Sequence, residues 1–166
     1  MRPAVALSIV MLTACSRALA PVAMVDSETQ KAGADALAVF IDSWNRATTG
    51  DAQGPVLYGT LYWPDAELVD PSGIVWQGQP AVVQMHVDLW NAPFKGSVLK
   101  GTLRRTRRLS PTLMIADFDL ELALAGAAAA RGPIKARLKH VMEKRGGEWK
   151  VIASQNTFVG PPPPSG

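Results

Sequence analysis

The sequence predicts an α+β fold in which helices precede a long antiparallel sheet, and three observations carry that prediction. Apolar residues recur with a period near 3.6 as far as Asn91 and with a period of 2 from Val98 onward. Turn chemistry, at Pro71-Ser72-Gly73 and at Arg145-Gly146-Gly147, falls between periodic segments rather than inside them. The chain has 166 residues, 48% hydrophobic and 19% charged, which suits one globular domain and excludes disorder, collagen-like repeats and coiled coil.

The first helix starts at Ser27, which can cap it. Leu37, Phe40, Ile41, Trp44 and Thr48 then fall on one stripe, and Thr49-Gly50-Asp51 marks the stop. A second, shorter helix runs from Asp51 towards Leu61, weakened by Gly54-Pro55. Two short strands follow, Ala66 to Asp70 and Ile74 to Gln77. Gln79-Pro80 opens a third helix with Val82, Met85, His86 and Leu89 on one stripe, and Pro93 ends it.

Four long strands come next: Val98 to Leu109, Leu113 to Leu124, Ile134 to Glu143, and Glu148 to Phe158. Their alternation predicts an antiparallel meander with one buried face. In the first of them Leu99, Leu103, Arg105, Arg107 and Leu109 share the apolar face. In the second, Asp117, Asp119 and Glu121 point outward between two basic strands, so they can pair across to both.

Charge is unevenly distributed. Nine acidic and two basic residues lie between Asp26 and Phe94, against five acidic and thirteen basic between Lys95 and Lys150. Net charge is only +3, and alternation splits the run Arg104-Arg105-Thr106-Arg107-Arg108 between two faces with no interleaved aromatic. Nucleic acid is therefore not expected as a partner.

The ends read as accessories. Residues 1–14 have the short apolar run of a secretory signal peptide, and Leu12-Thr13-Ala14-Cys15 resembles a bacterial lipobox, with Cys15 as the lipidated residue. Cleavage after Ala18-Leu19-Ala20 is the alternative, disfavoured by Pro21. Residues 15–26 then form a tether, 27–159 the domain, and 160–166 a Pro-rich disordered tail. A periplasmic, membrane-anchored lipoprotein is the expected form. With Cys15 the only cysteine, no disulfide within the chain and no catalytic thiol are expected.

Phe40, Trp44-Asn45, Gly50-Asp51, Tyr62, Asp65 to Asp70, Ser72-Gly73 and Gly78-Gln79 stand in an order that resembles the SgcJ/EcaC branch of the SnoaL-like group. Gly147 to Ile152 and Asn156-Thr157 complete the resemblance, which lies within the nuclear transport factor 2-like superfamily. Two features depart from it: Gly54-Pro55 in the second helix, and Gln155, where many relatives have histidine. The resemblance implies a cone-shaped fold, with three N-terminal helices packed on a curved antiparallel sheet around an interior pocket. It also implies a homodimer formed through the sheet. Its members include cyclases, isomerases, dehydratases and proteins used only for binding or assembly.

His86, on the apolar stripe of the third helix, is the candidate general acid or base, or else a hydrogen-bonded core histidine. Asp70 is placed to enter the pocket and orient a histidine or abstract a proton, or to cap the adjacent turn. Trp44, Tyr58, Tyr62, Trp76 and Trp90 are candidate ligand-lining aromatics, or else ordinary core. His140 is an inward-facing polar candidate, with a structural core role the favoured alternative. Arg105, with Arg107, either reaches the pocket to meet a carboxylate or an anionic ligand, or is turned outward by a bulge. No H-x-x-x-H or H-x-H spacing, dinucleotide fingerprint or nucleophile elbow occurs, so no metal and no cofactor are expected. The expected partner is a small, partly apolar ligand.

Overall fold

The computed structural model describes residues Asp26 to Gly160; the expected signal peptide, the expected lipidation site Cys15, the expected tether up to residue 25 and the proline run lie outside the described residues. The chain forms α1 (Ser27–Ala47), α2 (Gln53–Gly59), β1 (Tyr62–Val69), β2 (Val75–Gln77), α3 (Gln79–Asn91), β3 (Val98–Ser110), β4 (Leu113–Ala123), β5 (Ile134–Arg145) and β6 (Glu148–Phe158). A short 3-10 turn, Gly126–Arg131, links β4 to β5. Among the described residues no helix is long and apolar enough to cross a membrane.

All six strands form one sheet in the order β2-β1-β6-β5-β4-β3. The meander from β3 to β6 is antiparallel, as its alternation implies, and β1 pairs antiparallel with β2. The sheet as a whole is nevertheless mixed, because β1 runs parallel to β6. That pairing corrects the all-antiparallel expectation. It joins the first and last strands of the chain, and no local pattern encodes a partner so distant in sequence.

Helix α1 forms because its apolar stripe has a sheet to bury against: Leu37, Phe40 and Trp44 are buried while the charged positions face out. Asp26, rather than Ser27, caps it, accepting a hydrogen bond from the backbone N–H of Glu28 at 2.8 Å. Its first turn is pinned to the sheet. Arg108 pairs with Asp26 and Glu28, and Lys144 and the Trp149 indole N–H converge on the same Glu28 carboxylate. The hydrogen bonds from Lys144, Trp149 and Arg108 pull the Glu28 carboxyl down to about 2.

A bulge in β3 decides the fate of its arginines. Leu103 pairs with Phe118 and Arg105 with Asp117, so Arg104 is an extra residue and the side chains from Arg105 to Arg108 change face, until a second shift between Arg108 and Ser110. Thr106 turns inward and sits over Gly33 of α1. A Cβ on Gly33 would lie 2.8 Å from the Thr106 methyl. Arg105 and Arg107 turn outward, which removes them from the inner face. There Arg105 and Lys139 clamp Asp117, and Arg104 and Arg137 clamp Asp119. The acidic strand is thus paired on both sides, as its position between two basic strands implies.

Helix α2 is short and tightly docked. A Cβ on Gly54 would fall 2.5 Å from the backbone nitrogen of Ala47 in α1, so Gly54 is a requirement of close packing rather than merely a weak helix residue. Gly54→Ala is expected to destabilise the domain by about 1–3 kcal/mol, read as a lowered urea midpoint with unchanged m-value. An unchanged midpoint would contradict the docking of α2 on α1.

Candidate functional site

Between the helices and the inner face of the sheet lies a cavity of about 320 Å³, near the lower end of the usual range for small-molecule pockets, about 300–1,000 Å³. The sheet contributes aliphatic side chains, Leu120 and Leu122 from β4 and Ile134, Ala136 and Leu138 from β5. The helical side contributes aromatic rings, Phe40 and Trp44 from α1 and Tyr58 from α2, together with Met85 and Leu89 of α3. Asp70, Pro71, Ser72 and Trp76 form a rim where the β1–β2 turn meets solvent, with Asn156 and Phe158 of β6 beside them.

His86 also lines the cavity, and both its ring nitrogens are committed. Nδ1 lies 2.9 Å from the Val82 carbonyl, and a carbonyl can only accept, so Nδ1 carries the proton. Nε2 therefore accepts from the Tyr58 hydroxyl at 3.0 Å. Tyr58, having donated, accepts from Tyr62 at 2.8 Å, and Tyr62 in turn meets the Ser154 hydroxyl. Ser154 lies 3.0 Å from His140 Nδ1. One carbonyl thus sets the direction of a buried chain running from α3 through α2 and β1 to β6 and β5. At its far end the His140 Nε2 atom has no partner among the described residues and lies among aromatic rings, with Phe118 at 5.3 Å and Phe40 at 6.5 Å between ring centroids.

Burial holds both imidazoles neutral. It lowers His86 to about 4, offset in part by the Val82 hydrogen bond, and lowers His140 to about 3, helped by the charge that His86 would carry. Burial pushes Tyr58 well above its ordinary value and Tyr62 up to about 12.

Asp70 does not meet His86. Its Oδ1 accepts from the Ser72 N–H, the Ser72 hydroxyl and the Ile74 N–H, and its Oδ2 accepts from the Trp76 indole at 3.1 Å. Partial burial pushes its carboxyl up, but these hydrogen bonds outweigh it and leave the group below the usual range. The carboxylate is therefore a turn cap that also borders the cavity.

The sequence-derived candidates thus divide. Trp44, Tyr58, Trp76, His86 and Asp70 all line the cavity. His140 is not among the lining residues; it is buried at the end of the relay, its ring 6.2 Å from that of Tyr62 and 5.3 Å from that of Phe118. Arg105 lies on the opposite face of the sheet, displaced by the bulge. Tyr62, also expected as a lining aromatic, lines the cavity as well. Sequence reasoning missed Ser154 and Asn156 as parts of the site. For Asn156 the signal was available: it shares a strand face with Ser154 and Phe158, and its position belongs to the closing-strand motif. Among the described residues no three His, Cys, Asp or Glu side chains gather as a metal site would require.

No protein-family model matches the chain, and no curated protein sequence matches it. Solved structures do. It is similar to an uncharacterised protein with a cystatin-like fold from Caulobacter vibrioides, with TM-score 0.68, 23% identity, and coverage of 81% of this chain and 92% of that one. A nuclear transport factor 2-like protein of unknown function from Shewanella oneidensis gives TM-score 0.61 and 17% identity over 77% and 98% of the two chains. A ketosteroid isomerase-like protein from Erwinia carotovora atroseptica gives 0.64 and 13% over 82% and 100%. The likeness is one of fold: this domain has the nuclear transport factor 2-like, or cystatin-like, α+β architecture.

The two imidazoles make stability depend on pH with a definite sign. Unfolded, each binds a proton near pH 6.5; folded, neither does until about pH 4 or 3. Between those values the unfolded state holds more protons, so stability falls as pH falls, by up to about 1.4 kcal/mol per pH unit for each histidine. Urea midpoints at pH 6.5, 5.8 and 5.0 should decline accordingly, and His140→Leu should reduce the slope by about half. A slope unchanged by that substitution would contradict the burial of a neutral His140.

Proposed function

We propose that this domain, tethered to the cell envelope through Cys15, binds a small, partly apolar molecule in its interior cavity and acts as a binding module of the SnoaL-like kind. The carrying observation is the cavity itself, an unfilled space of about 320 Å³ walled by aliphatic and aromatic side chains. Transfer of apolar surface into such a space is the main source of affinity, at about 25 cal/mol per Å² before the costs of association.

A binding role is favoured over acid/base catalysis by what surrounds His86. A general base needs a free lone pair directed at substrate, and the Nε2 lone pair of His86 is occupied by Tyr58. Among the described residues no carboxylate touches the ring to hold an imidazolium. Asp70, the only carboxylate among the described lining residues, has its Oδ1 engaged in its turn. Association of two copies through the outer sheet face is less favoured by charge. That face carries Lys100, Arg104, Arg105, Arg107, Lys135, Arg137 and Lys139 against Asp117, Asp119 and Glu121, so a self-facing copy would oppose like charges.

The test uses N-phenyl-1-naphthylamine, a neutral fluorophore that brightens in apolar surroundings. The full chain carrying Cys15→Ser keeps acyl chains out of the assay. Saturable binding of one probe per chain is expected, weakened at least tenfold by Ile134→Trp, which fills the cavity, and unaffected by Lys135→Ala on the outer face. Absence of saturable binding, or equal binding by the Ile134→Trp protein with an unchanged melting temperature, would overturn the reading.

A further inference from the structure

The charge and hydrogen-bonding character of the rim narrow the ligand further. Among the described residues, none of the side chains lining the cavity is Lys or Arg, and its histidine is held neutral. The single ionised group among those described lining residues is Asp70. Its Oδ1 already accepts three hydrogen bonds, whereas its Oδ2 accepts only the Trp76 indole and keeps room for another donor.

A second acceptor belongs to Asn156, which also lines the cavity. The parallel register pairs Leu68 with Ser154 and Val69 with Gln155, the residues that precede Asp70 and Asn156. The Oδ1 atom of Asn156 is buried and has no hydrogen-bond partner among the described residues. An orphaned acceptor of this kind costs about 1–3 kcal/mol, which a donor arriving with a ligand would recover. Two acceptors, one of them charged, therefore belong to the lining of a mostly apolar cavity that also includes Phe158 and Trp76, the latter in contact with Asp70.

We infer that the cavity takes amphipathic amines: molecules with an apolar body lodged against Leu120, Leu122 and Leu138 and a protonated amino head received by Asp70 and Asn156 at the rim. The ammonium group supplies three donors to two waiting acceptors, and the neighbouring aromatic rings favour a cation. The same arrangement selects against carboxylates, sulfates and phosphates, which would meet the Asp70 charge with no cation in the lining to offset it. A neutral alcohol can donate to Asn156 but gains nothing from the charge. This inference rests on the binding role proposed above and adds the chemical class of ligand.

Three molecules with one body separate the possibilities: 4-phenylbutylamine, 4-phenylbutanol and 4-phenylbutyrate, each titrated at pH 7 into the full chain carrying Cys15→Ser and followed by calorimetry. The amine is expected to bind at least tenfold more tightly than the alcohol, and the acid at least a hundredfold more weakly than the amine. Asp70→Asn should bring amine and alcohol to within about threefold, whereas a purely structural role for Asp70 would weaken both in parallel. Asn156→Leu should weaken amine and alcohol alike by about tenfold with the melting temperature preserved. If the Asp70→Asn protein does not fold, the ranking of the three ligands on the parent chain together with Asn156→Leu decides. Equal affinities, or tightest binding of the acid, would overturn this inference while leaving a binding cavity in place. Failure of all three, with N-phenyl-1-naphthylamine still bound, would overturn it too, and failure of every probe would remove both readings.

Discussion

The requirement that buried polar groups be matched holds this molecule together at its centre. His86, Tyr58, Tyr62, Ser154 and His140 come from five different elements and form one continuous set of contacts. The Val82 carbonyl, one turn back on α3, orients the whole set through the tautomer of His86. Each unmatched group in such a place costs about 1–3 kcal/mol, so the helices have one favoured seating on the sheet. The cavity is the part of the inner face that lies beyond this seating. It stays open because the aromatic rings of α1, α2 and α3 are engaged with one another, Tyr58 and His86 with ring centroids 4.4 Å apart and Trp44 and Trp90 5.8 Å apart.

The ionic layer on the outside works differently. Its pairs are mostly exposed, and exposed pairs contribute about 0–1 kcal/mol each. Their effect is on register and on local charge: Asp117 and Asp119 each accept two cations from the flanking strands. Glu28 gathers Arg108, Lys144 and Trp149, joining the start of α1 to three strands at once. The basic half of the sequence is thus spent largely on partners within the fold, and the modest net charge of +3 says little about external ones.

Much of the architecture was legible because periodicity is a local property. The helical stripe of Phe40 and Trp44 and the alternation of Met114, Ala116, Phe118, Leu120 and Leu122 each state which side of the element is buried. Legibility failed where one residue alters the count. The extra Arg104 reverses the faces of Arg105 to Arg108, so alternation alone puts Arg105 and Arg107 on the inner side, and the alternative of a bulge that turns them outward is the one realised. Legibility was divided at Asp70, whose neighbours Pro71-Ser72-Gly73 spoke for a turn cap while its strand face spoke for the cavity; both are true of it. His140, named for its inward strand position, takes its structural alternative, buried against Tyr62 and Phe118.

By itself, then, the sequence determined the kind and order of the elements, the buried side of those without a bulge, and the pairing of an acidic strand between two basic ones. These follow from patterns spanning a few residues, which local sterics and the separation of apolar from polar groups read directly. The tertiary structure alone decided that β1 lies parallel to β6, that a neutral relay rather than a carboxylate holds His86, and that Asp70 and Asn156 both line the cavity. Each of these joins residues far apart in the chain, and such contacts are settled by which seating of the whole core leaves the fewest buried polar groups unmatched.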